Sequence, residues 1–168
     1  MVIFKSLVKK IIAYYYTQKV KRRAKSYGNG LKVNGKSTVT ASTTLGNNVN
    51  FNGMQISGKG NVIIGDNFHS GTGCQIITSF HNYDYGNAIP YDETSIHKDI
   101  CIEDNVWLGN SVIVLGGISI GEGAIIQAGS TVVSSIPACA IAGGHPAKVF
   151  KYRDKEHYYQ LKSEKKFH

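Results

Sequence analysis

Cysteine is too scarce in this chain to staple a fold. There are three, Cys74, Cys101 and Cys139, an odd number with no C-x-x-C spacing, which argues against a disulfide framework and a structural zinc site. Reduced thiols of a cytoplasmic protein are the simplest reading, each a small buried hydrophobe. None sits beside a charge that would activate it as a nucleophile. Proline also numbers three, while glycine reaches 19, a balance suited to tight corners between short strands. Charges interrupt every apolar run, so none reads as a membrane span, and no A-x-A-like site marks a signal peptide. Acid is missing from the first 36 residues, which hold ten Lys and Arg. The formal charge of +8 gathers there and in the lysines from Lys148 onward. Such a charge suits nucleic acid, an anionic membrane surface or a phosphate-rich cofactor. No basic-aromatic motif such as an RRM signature accompanies it, which sets nucleic acid aside.

What the chain does have is a period of six. From Ile102 to Pro137, the first residue of each six is Ile102, Leu108, Val114, Ile120, Ile126 and Val132. Only 14 of these 36 residues are Ile, Leu or Val, yet this column is aliphatic throughout. A second column, Val106, Val112, Ile118, Ala124, Ser130 and Ile136, is mostly apolar. The column between them, Asn105, Ser111, Gly117, Gly123, Gly129 and Ser135, is small or turn-forming. Six fits neither an amphipathic helix nor a plain strand. It fits a triangular prism whose short strands each point an aliphatic residue inward, with corners where Gly or Asn takes φ > 0. Three sixes close one coil of a parallel β-helix.

The same period links Val33, Val39, Leu45 and Phe51, and Ile64, Ser70 and Ile76. Leu45 and Ile64 are one residue further apart than three sixes, which predicts an inserted residue within Gln55 to Gly60. Residues 79–99 break the register with an aromatic and polar run containing His81 and His97. A loop of about twenty residues in a compact domain is usually functional. Residues 1–28 read as a basic amphipathic helix, with Ile3, Phe4, Leu7, Val8, Ile11, Ile12 and Tyr15 on one stripe. That stripe could dock on the β-helix, on a neighbouring subunit, or on an anionic membrane surface. The β-helix spans 29–148. The tail, 149–168, reads as a short amphipathic helix starting at Lys148, which would cap the open end of the prism.

Four runs carry a family resemblance: Ile102-Glu-Asp-Asn-Val-Trp-Leu-Gly-Asn110, Ile120-Gly-Glu-Gly-Ala, Ala128-Gly-Ser-Thr-Val and Gly143-Gly-His-Pro-Ala-Lys148. In order and spacing they resemble the hexapeptide-repeat acyltransferases, closest to the branch that O-acetylates sugars, over roughly Leu31 to Lys151. The resemblance implies an all-β fold, a left-handed parallel β-helix, in a homotrimer with active sites between subunits. It also implies acetyl-CoA as co-substrate with no metal, and a sugar or polysaccharide precursor, as in capsule or O-antigen synthesis, as acceptor.

Acyl transfer from a thioester to a hydroxyl needs a base, an oxyanion donor and a channel for the carrier. A histidine titrating near neutrality can be the base. His81, where the chain leaves the rigid coil, matches the family's catalytic loop, and His97 is the runner-up. The departure is the His81-Asn-Tyr-Asp run, which leaves the acceptor contacts open. The resemblance gives the oxyanion role to the backbone N–H of Asn110 and an acceptor contact to Asn52. It lays the carrier along Trp107, Gly109, Ala128 and Gly129, with Lys148 and Lys151 near its phosphates. The bland readings are corner geometry for the glycines and a solvated helix for the lysines. Trp107 at a corner would be partly exposed. A zinc enzyme of the carbonic-anhydrase type would need His69, His81 and His97 to converge across the register break. Two more functions compete on this prism: a serine or aminosugar N-acetyltransferase, and a non-catalytic membrane-surface scaffold.

Overall fold

A computed structural model describes residues 2–168, with side chains from Leu7 onward. Ile3 and Phe4 of the expected stripe therefore have side chains outside the described residues. Three parallel sheets form the flat faces of a prism. The first face stacks Ser26–Tyr27, Thr43–Leu45, Val62–Ile64, Ile100–Ile102 and Ile118–Ile120. The second stacks Lys32–Val33, Asn50–Phe51, His69–Ser70, Trp107–Leu108 and Ile125–Ile126, and ends in the hairpin Ala140–Gly144 and Ala147–Tyr152. The third stacks Gln55–Ser57, Gln75–Ile77, Ile113–Leu115 and Thr131–Val132. The chain visits the faces in that order, coil after coil, as a left-handed parallel β-helix.

The columns of the sequence are the columns of the core. Ile102, Leu108, Val114, Ile120, Ile126 and Val132 are fully buried, and the second column from Val106 to Ile136 is buried with them. Between the two columns, Asn105, Ser111, Gly117, Gly123 and Gly129 all take positive φ, the conformation that turns each corner. At Gly123 the requirement is double. Its φ is +68°, and a Cβ there would lie 2.7 Å from the Tyr158 ring.

The inserted residue lies where spacing puts it. Inward residues step from Phe51 to Ile56 to Ile64, five and then eight, and Gly58 takes φ +99° at the enlarged corner. The long break is equally regular in its consequence. Val62–Ile64 pairs directly with Ile100–Ile102, so neighbours across it are 38 apart where a plain coil has 18. The excursion leaves after the third face and returns to the first without disturbing the stack. At its root, Ser79–His81 pairs antiparallel with Ser95–His97.

Both ends correct the sequence reading. The first helix, Val2–Arg23, docks through its second half: Val20 is buried, and Tyr16 and Ala24 pack on the core. No described helix is long and apolar enough to cross a membrane. At the other end, the residues from Ala147 to Tyr152 are a strand rather than the start of a helix. Their register against Ala140–Gly144 lets the extended chain finish the second face. Only Lys155–Ser163 is helical, N-capped by Asp154, whose Oδ1 accepts the His157 N–H. That helix does not cap the prism. It lies along the corner between the first and second faces, where Lys162 pairs with Glu122 at 2.6 Å and the Tyr158 hydroxyl donates to Glu122. A ladder of amides continues down the corner, Asn105 donating to Tyr158, Asn67 to Asn105 and Asn48 to Asn67.

Candidate active site

Two corners of the prism carry the candidate residues. The corner between the second and third faces collects most of them. Asn52, Asn110 and the Ala128–Gly129 pair occur there in three different coils, with the coil of His69–Ser70 between the first two, because each follows a strand of the second face by one or a few residues. Asn110 uses its side chain to hold the corner, Oδ1 accepting the Thr72 N–H at 2.9 Å. Its backbone N–H donates to no acceptor among the described residues, whereas the amides on either side, Gly109 and Ser111, both do. A free, rigidly held N–H on an exposed corner is what an oxyanion donor requires. Gly129 is exposed at φ +71°, and a Cβ there would touch nothing within 4 Å. Beside it, Ala128 is also exposed. The pair leaves an open strip along the corner.

Gly109 has a packing reason of its own. A Cβ there would meet the Ala128 backbone at 2.6 Å, so glycine is needed for two coils to stack. Asn52 is similarly engaged: its Nδ2 donates to the Ser70 carbonyl at 2.7 Å, and its Oδ1 accepts from Asn34. Trp107 lies in a strand of the second face rather than at a corner, between His69 and Ile125, and is 51% exposed. Period six cannot separate a corner from the outward side of a two-residue strand.

Lys148 and Lys151 come from the terminal hairpin. Three residues apart on a regular strand, they would face opposite sides. A register shift opposite Ile141 and Ala142 bulges the strand at Phe150. It returns both lysines to one side, pairing with Gly143 and Ile141, while Val149 turns inward against Ala142.

His81 stands apart, on the loop between the third and first faces. Its ring stacks on Tyr91, centroids 3.7 Å apart and planes 10° from parallel. Pairing of Ser79–His81 with Ser95–His97 holds its backbone. At the other end of this short ladder, Ser79 Oγ and His97 Nδ1 are in hydrogen-bond contact at 2.8 Å. His69 lies on the second face, where burial depresses its pKa, aided by His168 and Lys32; it does not approach the loop histidines. Within one chain, then, His81 is on one corner and Asn110, Ala128 and Gly129 are on another.

Two contacts escaped sequence reasoning. Tyr91 supports His81 from ten residues away, and His145 Nδ1 lies 2.9 Å from Thr131 Oγ1 beside the open strip. Neither has a spacing signal, because both arise from loop geometry. Burial works against thiolate formation at two of the cysteines. Cys74 is buried and donates to the Gly109 carbonyl, and burial raises its pKa. Cys101 is raised by partial burial and by Glu103.

Comparison with known proteins agrees with this architecture. The bacterial transferase hexapeptide model, of six repeats, matches residues 102–134. A provisionally named acetyltransferase of Schizosaccharomyces pombe is 39% identical over 95 residues, 56% of this chain and 45% of its own. The chain spans less than half the length of the curated relatives it matches. A hexapeptide-repeat acetyltransferase of Vibrio cholerae, solved with acetyl coenzyme A, is 26% identical at TM-score 0.64, covering 79% of this chain and 73% of that one. A maltose O-acetyltransferase of Clostridium difficile is 28% identical at TM-score 0.63, covering 77% and 66%.

Proposed function

We propose, from the premise that this chain belongs to the hexapeptide-repeat acyltransferase family, that it moves an acetyl group from acetyl-CoA to a sugar hydroxyl of a surface-polysaccharide precursor in the cytoplasm. The observation that carries this reading is the single long break in the repeat. It sets His81 on a braced loop, while a separate corner offers a free Asn110 N–H beside the open Ala128–Gly129 strip.

The chemistry follows from these parts. His81 accepts the proton of the acceptor hydroxyl as its oxygen attacks the thioester carbonyl. The Asn110 N–H holds the negative charge that develops on the carbonyl oxygen. When the carbon–sulfur bond breaks, His81 returns the proton to the departing thiolate, leaving an acetate ester and free coenzyme A. No acyl-enzyme is needed, and no Ser or Cys stands in a nucleophile motif. Ala128 and Gly129 leave room for the pantetheine arm, and Lys148 and Lys151 offer cations to its phosphates. Because His81 and Asn110 occupy different corners of one prism, the complete site forms between copies in a homotrimer.

Mass spectrometry of candidate sugars, nucleotide sugars and polysaccharides after incubation with acetyl-CoA tests the reading. A gain of one acetyl group, removed by mild base, is the expected result. A base-stable acetyl on an amine would make the chain an N-acetyltransferase. No transfer to any acceptor, with no acetyl-CoA binding, would leave a scaffold.

A further inference from the structure

The N-terminal helix has two faces, and the fold uses one. Ala13, Tyr16, Thr17, Val20 and Ala24 recur at helical spacing on the docked side. Val20 is 1% exposed, and Thr17 Oγ1 accepts the Val33 N–H at 3.0 Å. Leu7, Val8, Ile11, Ile12 and Tyr15 recur on the opposite side. They stand between 37% and 59% exposed, an unusual concentration of aliphatic side chains facing water. Tyr14 adds an exposed aromatic at the edge of the stripe. Docking on its own prism is already accomplished by the other face, so the stripe awaits an external partner.

Charge selects that partner. The first 36 residues hold ten Lys and Arg and no Asp or Glu, and Lys9, Lys10 and Lys19 form no ion pair among the described residues. Packing this segment against its equivalent in a second copy would set like charges together. An anionic bilayer would accept the aliphatic stripe into its interface and the lysines among its headgroups. Tyrosines at the stripe suit the headgroup level. The helix is too charged to span, so it lies along the surface. We infer that the Leu7–Tyr15 stripe of the N-terminal helix docks the protein on an anionic lipid surface.

Sedimentation of the intact protein with sucrose-loaded vesicles tests this. Vesicles of phosphatidylcholine and phosphatidylglycerol at a roughly 3:1 ratio should bind it at least about tenfold more strongly than phosphatidylcholine alone, and less as salt rises. Leu7→Ser with Ile11→Ser should reduce binding about tenfold, as should Lys9→Glu with Lys10→Glu. Leu7 and Ile11 lie off the docked face, and Lys9 and Lys10 are exposed ahead of the docked half of the helix, so circular dichroism should be unchanged. Failure of the wild-type protein to bind the anionic vesicles would overturn the inference, as would full binding by the Leu7/Ile11 variant. A loss of oligomer size in that variant, without vesicle binding, would assign the stripe to a second copy instead. None of these readouts involves acetyl transfer.

Discussion

At the scale of single residues, His81 and Ser70 make opposite predictions. Removing a general base typically costs about 10²–10⁴ in rate. If His81 is the base, as proposed, His81→Ala should lower kcat by about that factor while acetyl-CoA still binds, since the strip proposed for the carrier lies on another corner. His97→Ala, which loses the contact to Ser79, should be mild. Steady-state kinetics with both variants decides between them, and a reversed order would reassign the base. Ser70 sits in the inward column between Phe51 and Leu108, and its buried hydroxyl has no hydrogen-bond partner among the described residues. An orphaned hydroxyl costs about 1–3 kcal/mol, so Ser70→Ala should raise the melting temperature by about 2–4 °C for each kcal/mol recovered. Differential scanning fluorimetry gives the answer, and a fall would mean that the hydroxyl is satisfied.

At the scale of elements, the terminal hairpin and helix are the parts that sequence reading placed least well. The resemblance gave Lys148 and Lys151 their role, but only the bulge at Phe150 puts them on one side. Replacing both with Ala should raise KM for acetyl-CoA more than it lowers kcat, because a phosphate grip acts alike in ground and transition states. An unchanged KM would release the hairpin from carrier binding. The C-terminal helix predicts a pH dependence. Partial burial works to raise the Glu122 carboxyl pKa, but hydrogen bonds from Lys162 and Tyr158 outweigh it and hold the group below its ordinary value. The unfolded chain then takes up the proton at a higher pH than the folded one. The stabilisation is present above about pH 4.3, the usual glutamate value, and is lost as pH falls through the folded pKa. Trp107 lines the groove of about 450 Å³ under this tail with Leu161 and Phe167. Its fluorescence should report tail release in acid, and Glu122→Gln should abolish that step at low pH.

At the scale of the whole molecule, the two-corner distribution of the site predicts assembly. A lone prism keeps His81 away from Asn110, and three prisms side by side can set one chain's loop against the next chain's strip. Light scattering at micromolar protein should give a trimer. Mixing His81→Ala chains with Asn52→Ala chains provides a finer check, since shared sites regain activity only in mixed trimers. A monomer that turns over acetyl-CoA would defeat the arrangement.

The coil, its core columns and its corners were legible in the sequence because each repeat solves the same local problem. One residue in six must be apolar to face the axis, and one must tolerate φ > 0 to turn the corner, so the pattern prints the fold directly. Residues 79–99 were legible as a break for the same reason. The tail was not. Val149, Phe150, Tyr152 and Tyr158 satisfy a helical pattern and a strand pattern almost equally, and the exposed edge at Ala140–Gly144 was what made the first of them a strand. For the candidate site, the break in the repeat pointed to the loop that carries His81, and the family resemblance nominated Asn110 and the Ala128–Gly129 strip. That Tyr91 braces His81 depends on how the excursion folds on itself, and that Asn110 retains a free N–H depends on which coil stacks on which. Hydrogen bonds between residues 18 and 38 apart decide that, and the six-residue period does not reach so far.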